Sequence, residues 1–160
     1  MSETSNGQNM LKLIYVVDDT SEIREGIATI LREIGGYIVE CFSNPDDADL
    51  AISEMLPDLI FTDFSMPGFR NGVAFRHDIL RTYGVDSVPV VMASGHSRYE
   101  IWSVSKHLFP QGSDCNVELS RFPLLRKPML SHEILNVARM QIEDHERGRQ
   151  QQLAATAVPT

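Results

Sequence analysis

Four apolar runs in this chain each end on a group that can do chemistry. Leu13-Ile14-Tyr15-Val16-Val17 runs into Asp18-Asp19, and Leu59-Ile60-Phe61-Thr62 runs into Asp63. Pro89-Val90-Val91-Met92-Ala93 reaches Ser94, and Phe122-Pro123-Leu124-Leu125-Arg126 reaches Lys127-Pro128. A carboxylate at the carboxyl end of a buried strand is poorly placed for packing and well placed for a ligand. Three carboxylates in one crevice repel one another, and their pKa values rise unless a cation shares the site. Oxygen-only donors suit a hard cation, with Mg²⁺ the first choice and Mn²⁺ the alternative. A lysine adds a point charge for a phosphoryl oxygen, and a serine adds a hydrogen-bond donor. Nucleophile, metal and positive charge together are the parts of phosphoryl-transfer machinery.

The elements that must carry these groups alternate along the chain. The strand-like runs are 12–17, 37–42, 58–62, 88–93 and 122–126. Between them the apolar period changes to that of a helix. Ile23, Ile27, Ile30, Leu31 and Ile34 make the first such stretch, stopped by Gly35-Gly36. Asn44-Pro45-Asp46-Asp47 starts the second with a cap, a proline at the first helical position and acids in the first turn. Gly72 to Tyr83 forms the third. Ile101, Val104 and Leu108 mark the fourth, ended by Pro110, and a polar loop follows to Ser120. Ser131 caps the last, which carries Leu135, Ala138 and Ile142. Five apolar strands in this rhythm predict an α/β fold, a doubly wound parallel sheet with helices on both faces.

Composition narrows the partners. The 160 residues suffice for one domain; 42% are hydrophobic and 22% charged. A formal net charge of −8 argues against a nucleic-acid backbone as ligand. No apolar run reaches the length of a membrane span, and residues 1–9 lack a secretion signal, so a cytoplasmic location is expected. Cys41 and Cys115 form no CxxC pair, and Cys41 reads as a small core residue. Residues 1–10 are expected to be a disordered N-terminus, 11–146 a single domain and 147–160 a flexible tail. With so short a tail, no output domain is expected in this chain.

The ordered set Asp18-Asp19, Asp63, Ser94 and Lys127-Pro128 resembles the receiver domain of two-component response regulators, of the chemotaxis-regulator type. The likeness spans about residues 11–146. It implies a (βα)5 flavodoxin-like fold with strand order 2-1-3-4-5. It further implies Asp63 as phospho-acceptor, Asp18 and Asp19 as the acidic pair organising Mg²⁺, Ser94 as the switch hydroxyl and Lys127 as the phosphoryl contact. The backbone carbonyl of Ser65 is implied as a further metal ligand. The implied partners are a histidine kinase or histidine phosphotransfer protein and a downstream protein target. A homodimer through the fourth helix, fifth strand and fifth helix is a further implication.

This sequence departs from the family pattern in three places. Leu124 stands where the family often has an aromatic, and Phe122, two residues earlier on a period-2 strand, is placed to replace it in part. Ser94 to Lys127 spans 33 positions, longer than usual, with the excess expected in 110–121. The loop from Gly68 to Gly72 is one residue longer than usual. His96 and Ser65 are expected at the mouth of the site, where they can admit or block water. Trp102 and Phe109 either widen the core face of the fourth helix or form an exposed docking surface.

The function read from this is a single-domain phospho-acceptor that signals through altered protein contacts and is not a turnover enzyme. Two related readings stay open, a phosphorylation-independent interaction module and a hybrid-kinase receiver acting as a phosphate sink. A dehalogenase-type phosphatase is disfavoured, because that family wants a second Asp two residues after the nucleophile and Ser65 stands there.

Overall fold

A computed structural model describes residues 11–157 apart from residue 69; the expected disorder of 1–10 lies outside these residues. Five parallel strands form one sheet: β1 (Leu13–Val17), β2 (Ile38–Phe42), β3 (Leu59–Asp63), β4 (Val90–Ser94) and β5 (Leu124–Arg126). Their order is β2-β1-β3-β4-β5, as the resemblance implied. The chain steps one way from β1 to β2 and the other way from β3 onward. The crevice therefore opens beyond the carboxyl ends of β1 and β3.

Alternation along the strands builds two cores. Ile14, Val16, Leu59, Phe61 and Val91 point to one face, against Ile27 and Leu31 and against Ile134, Ala138 and Ile142. Those residues come from α1 (Ser21–Thr29), the π turn that continues it (Ile30–Ile34), and α6 (Ser131–Thr156). Tyr15, Val17, Ile60 and Val90 point to the other face, against Ala48 and Ile52 of α2 (Pro45–Glu54) and Phe75 and Ile79 of α3 (Gly72–Tyr83). A third cluster joins Met92 and Val73 to Ile101 of α4 (Arg98–Ser105), Leu119 of α5 (Cys115–Leu119) and Phe122.

Several helix starts are local chemistry. Asn44 Oδ1 accepts from the Asp47 N–H at 2.8 Å, with Pro45 at the first helical position. Asn71 caps α3 through the Ala74 N–H at 2.9 Å. Ser97 and Glu100 make a reciprocal capping box on α4. Ser131 is the first residue of α6 and not its cap; the Glu133 carboxylate accepts the Leu130 N–H at 2.7 Å.

Four further expectations are corrected. Ile34 is 66% exposed, because the wider π turn carries it off the apolar stripe. The polar loop before β5 contains the short helix α5, which Asp114 caps through the Asn116 and Val117 N–H groups. Phe122 lies in a bend before β5, not in the strand expected over 122–126, and is buried in the third core, 4.7 Å from the Arg76 guanidinium. The segment from 147, expected to be flexible, continues α6 to Thr156. Glutamine, leucine and alanine after Gly148 are good helix formers, and no proline interrupts them before the helix ends. Among the described residues no helix is long and apolar enough to cross a membrane.

Gly72 is the tightest point between fold and site. Its N–H donates to the Phe64 carbonyl at 2.9 Å, and a Cβ there would meet the Asp63 carbonyl and come within 3.1 Å of the Phe64 Cα. Gly72→Ala should lower stability by about 1–3 kcal/mol, as overpacking against backbone does, measured by urea unfolding. Wild-type stability would show that the loop yields freely.

Candidate functional site

The sheet register aligns the reactive groups. Val17 pairs with Thr62, Asp63 with Ala93 and Ser94 with Arg126, so the strand ends lie side by side. Asp18 is 1% exposed, Asp63 6% and Ser94 1%, while Asp19 is exposed. One carboxylate oxygen from each of Asp18, Asp19 and Asp63 lies within 4.8 Å of the others. Lys127 closes the set from the end of β5. Its Nζ donates to Asp63 Oδ1 at 2.9 Å and to Asp18 Oδ2 at 3.1 Å.

Backbone and side-chain bonds fix each member. The Asp18 N–H donates to Phe42 at 3.1 Å and the Phe64 N–H to Ala93 at 3.1 Å, both continuing the sheet ladders. Asp18 Oδ1 accepts the Thr20 N–H at 2.9 Å, which aims the other oxygen at Lys127. The Lys127 N–H donates to the Ser94 carbonyl at 2.9 Å, and the peptide to Pro128 is cis. Ser94 Oγ accepts the His96 N–H at 2.9 Å. At the mouth, His96 Nε2 and Ser65 Oγ are hydrogen-bonded at 3.0 Å, and the His96 ring meets the edge of Phe64 at 5.5 Å. Leu124 pairs with Met92 and packs half-buried on the third core.

The electrostatics are those of a crowded acidic site. Burial pushes the Asp63 carboxyl up, the Lys127 hydrogen bond pulls it back, and the charges of Asp18 and Asp19 add to the rise; the net direction is up. For Lys127, burial acts downward, but the bonds to Asp63 and Asp18 outweigh it and hold the ammonium above its ordinary value. The donor set fits a hard divalent cation: three carboxylates, two of them buried, with an excess of negative charge that one ammonium does not cancel.

The family model for the response regulator receiver domain matches residues 14–105. The chain belongs to that family. Among curated relatives, the phosphate regulon transcriptional regulatory protein PhoB of Escherichia coli strain K12 is 33% identical over 91 residues, 57% of this chain and 39% of PhoB. The DNA-binding response regulator MtrA of Mycobacterium leprae is 34% identical over 84 residues, 52% of this chain and 35% of MtrA. This receiver thus spans little more than a third of the curated relatives it matches. Among solved structures, the receiver domain of NtrX from Brucella abortus superposes with a TM-score of 0.64 at 28% identity, over 81% of this chain and 98% of that one. A CheY-like receiver from Methanospirillum hungatei gives 0.68 at 21% identity, over 86% and 98%, a likeness of fold alone.

Two arginines of the receiver site were not singled out in the sequence. Arg24 donates to the Asp18 carbonyl at 2.7 Å, behind the acidic pair. Arg70, in the loop after Asp63, is bonded to Asp49 of α2 and to Asp78 of α3, the latter at 2.9 Å, and lies 5.1 Å from the Phe75 ring centre. It ties the lengthened loop to two helices. Its partners lie 21 and 8 residues away, and only the fold brings them together.

The raised Asp63 pKa has a stability consequence. The fold holds this proton more tightly than the unfolded chain does. The group is therefore neutral in its effect below the unfolded value and opposes folding once pH exceeds the folded value. In metal-free buffer at neutral pH, Asp63→Asn should raise the melting temperature by a few degrees, seen by calorimetry, and the difference should vanish in acid. A lower melting temperature would show that the Lys127 bond outweighs burial and repulsion.

Proposed function

We propose that this receiver accepts a phosphoryl group from a phosphohistidine partner onto Asp63. The observation that carries the proposal is the Lys127 ammonium shared between Asp63 and Asp18 beside a third carboxylate. An Asp63 oxygen attacks phosphorus, the bond from phosphorus to the partner's imidazole nitrogen breaks, and that nitrogen keeps the electron pair. An acyl phosphate remains on the chain. Asp18, Asp19, Asp63 and the carbonyl of Ser65 would hold Mg²⁺, which supplies positive charge to the transferring oxygens when bound. Lys127 stands ready to follow the phosphoryl oxygens, since Asp18 retains part of its charge as the new group forms.

Phosphorylation adds close to two negative charges at a site already short of cations. The Ser94 hydroxyl, whose oxygen accepts from His96, has a proton free to donate to the new oxygens. A shift of Ser94 pulls on β4 and, through the Met92–Leu124 pair, on the core under α4 and α5. The output is a reweighted pair of conformations read by a protein target, not a released product. An apolar hollow of about 430 Å³ lined by Ile23, Ile27, Met129 and Ile134 adjoins Lys127, and gives the partner a dry seat against the site.

Intact mass after incubation with acetyl phosphate tests the chemistry. One phosphoryl adduct should form with Mg²⁺, none without it and none in Asp63→Ala. Ile23→Glu should slow transfer from a phosphohistidine protein and leave the acetyl phosphate reaction unchanged. No adduct in a folded protein that binds Mg²⁺ would favour the phosphorylation-independent module.

The Ser65–His96 pair spans the mouth where the hydrolytic water must enter. His96→Ala should shorten the life of the phosphoryl group several-fold, followed by decay of the adduct. An unchanged decay rate would remove this pair from the path of water.

A further inference from the structure

A second concave site lies away from Asp63, between α3 and the α5 segment. It is a cleft of about 490 Å³ with three arginines in its walls, Arg76 and Arg81 from α3 and Arg121 from the turn after α5. This volume is in the range of small-molecule sites. Leu80, Leu108 and Phe109 supply its apolar lining. The wall opposite α3 is built from residues 108–121, the stretch that makes the separation of Ser94 and Lys127 long for the family.

Arg76 lines the cleft from α3. Its guanidinium stacks 4.7 Å from the Phe122 ring centre, and it has no ion pair among the described residues. Glu118, the nearest acid in the wall, is bonded to Arg121 at 3.1 Å. Asp86, the other acid, accepts from Gln152 at 3.4 Å. Burial, then the neighbouring Arg121, brings Arg76 down to about 10. In a chain with a formal charge of −8, this cleft sets three arginines against two acids, and neither acid is paired with Arg76. Such a guanidinium is under-compensated, and an anion would complete it with charge-assisted, bidentate hydrogen bonds.

We propose that this cleft binds a small organic anion, its carboxylate or phosphate held by Arg76 and Arg121 and its apolar body against Leu80, Leu108 and Phe109. Binding would brace α5 against α3, and so act on the same third core that Met92 and Leu124 share with the switch. The site does not depend on the phospho-acceptor chemistry, so the two readings fail separately.

The test is an amide NMR titration of the full chain without Mg²⁺, using phenyl phosphate, benzoate and neutral benzyl alcohol. Saturating, salt-sensitive shifts should appear in α3, 106–110 and α5 with at least one anion, equally in Asp63→Ala, and not with benzyl alcohol. Preference for phenyl phosphate assigns a phosphate head, and preference for benzoate a carboxylate. Arg121→Gln, an exposed change that spares the fold, should weaken binding roughly tenfold or more, the scale of a lost charge-assisted bond; Arg76→Met should do the same. No saturation, shifts confined to the Asp63 mouth, equal binding of benzyl alcohol, or full affinity in folded Arg121→Gln would each overturn the proposal.

Discussion

One ammonium holds two buried carboxylates that would otherwise repel, and the rest of the molecule is arranged around that fact. From the end of β5, Lys127 reaches across β4 to Asp63 on β3 and to Asp18 after β1. The three residues are 109 and 64 positions apart in sequence. Only a parallel sheet with the right order and register brings them within 3.1 Å. Losing Lys127, the one cation of the set, would leave two buried carboxylates uncompensated, a change that typically costs about 3–5 kcal/mol. The remaining imbalance is negative, and the cluster of Asp18, Asp19 and Asp63 could hold a cation that offsets it.

The mouth and floor of the site divide the work. The floor is fixed by ladder bonds and packed strands, with Ile14, Val16, Phe61 and Val91 fully enclosed. The mouth is made of loop residues, with Ser65 bonded to His96 and Arg70 tied to acids on α2 and α3. Rigid placement of Asp63 and an adjustable mouth above it are thus properties of different layers.

Much of this was legible because the informative residues sit where strand periodicity ends. Apolar runs that break into Asp18, Asp63, Ser94 and Lys127 give both the sheet and its reactive edge. The strand order follows from the family resemblance and not from periodicity. What sequence could not show depends on partners distant in the chain. Phe122 looked like a strand residue by alternation, yet its place was decided by the Arg76 side chain and the third core. Arg70 carried no local signal, since its carboxylates come from two helices. Ile34 kept helical spacing, but a π turn changed which way it faced. The continuation of α6 was hidden by polar composition: glutamine-rich segments form helices and tails alike, and burial does not choose between them there.

That continuation gives the molecule a lever. At 1.5 Å per residue, 26 helical residues measure about 39 Å. The amino end of this rod begins four residues after Lys127, and its far part rests on Asp86 through His145 and Gln152. A tilt of about 5° at the site end would carry the tip sideways by roughly 3 Å over that length. A change too small to repack the sheet becomes a displacement of side-chain size at the opposite end of the domain.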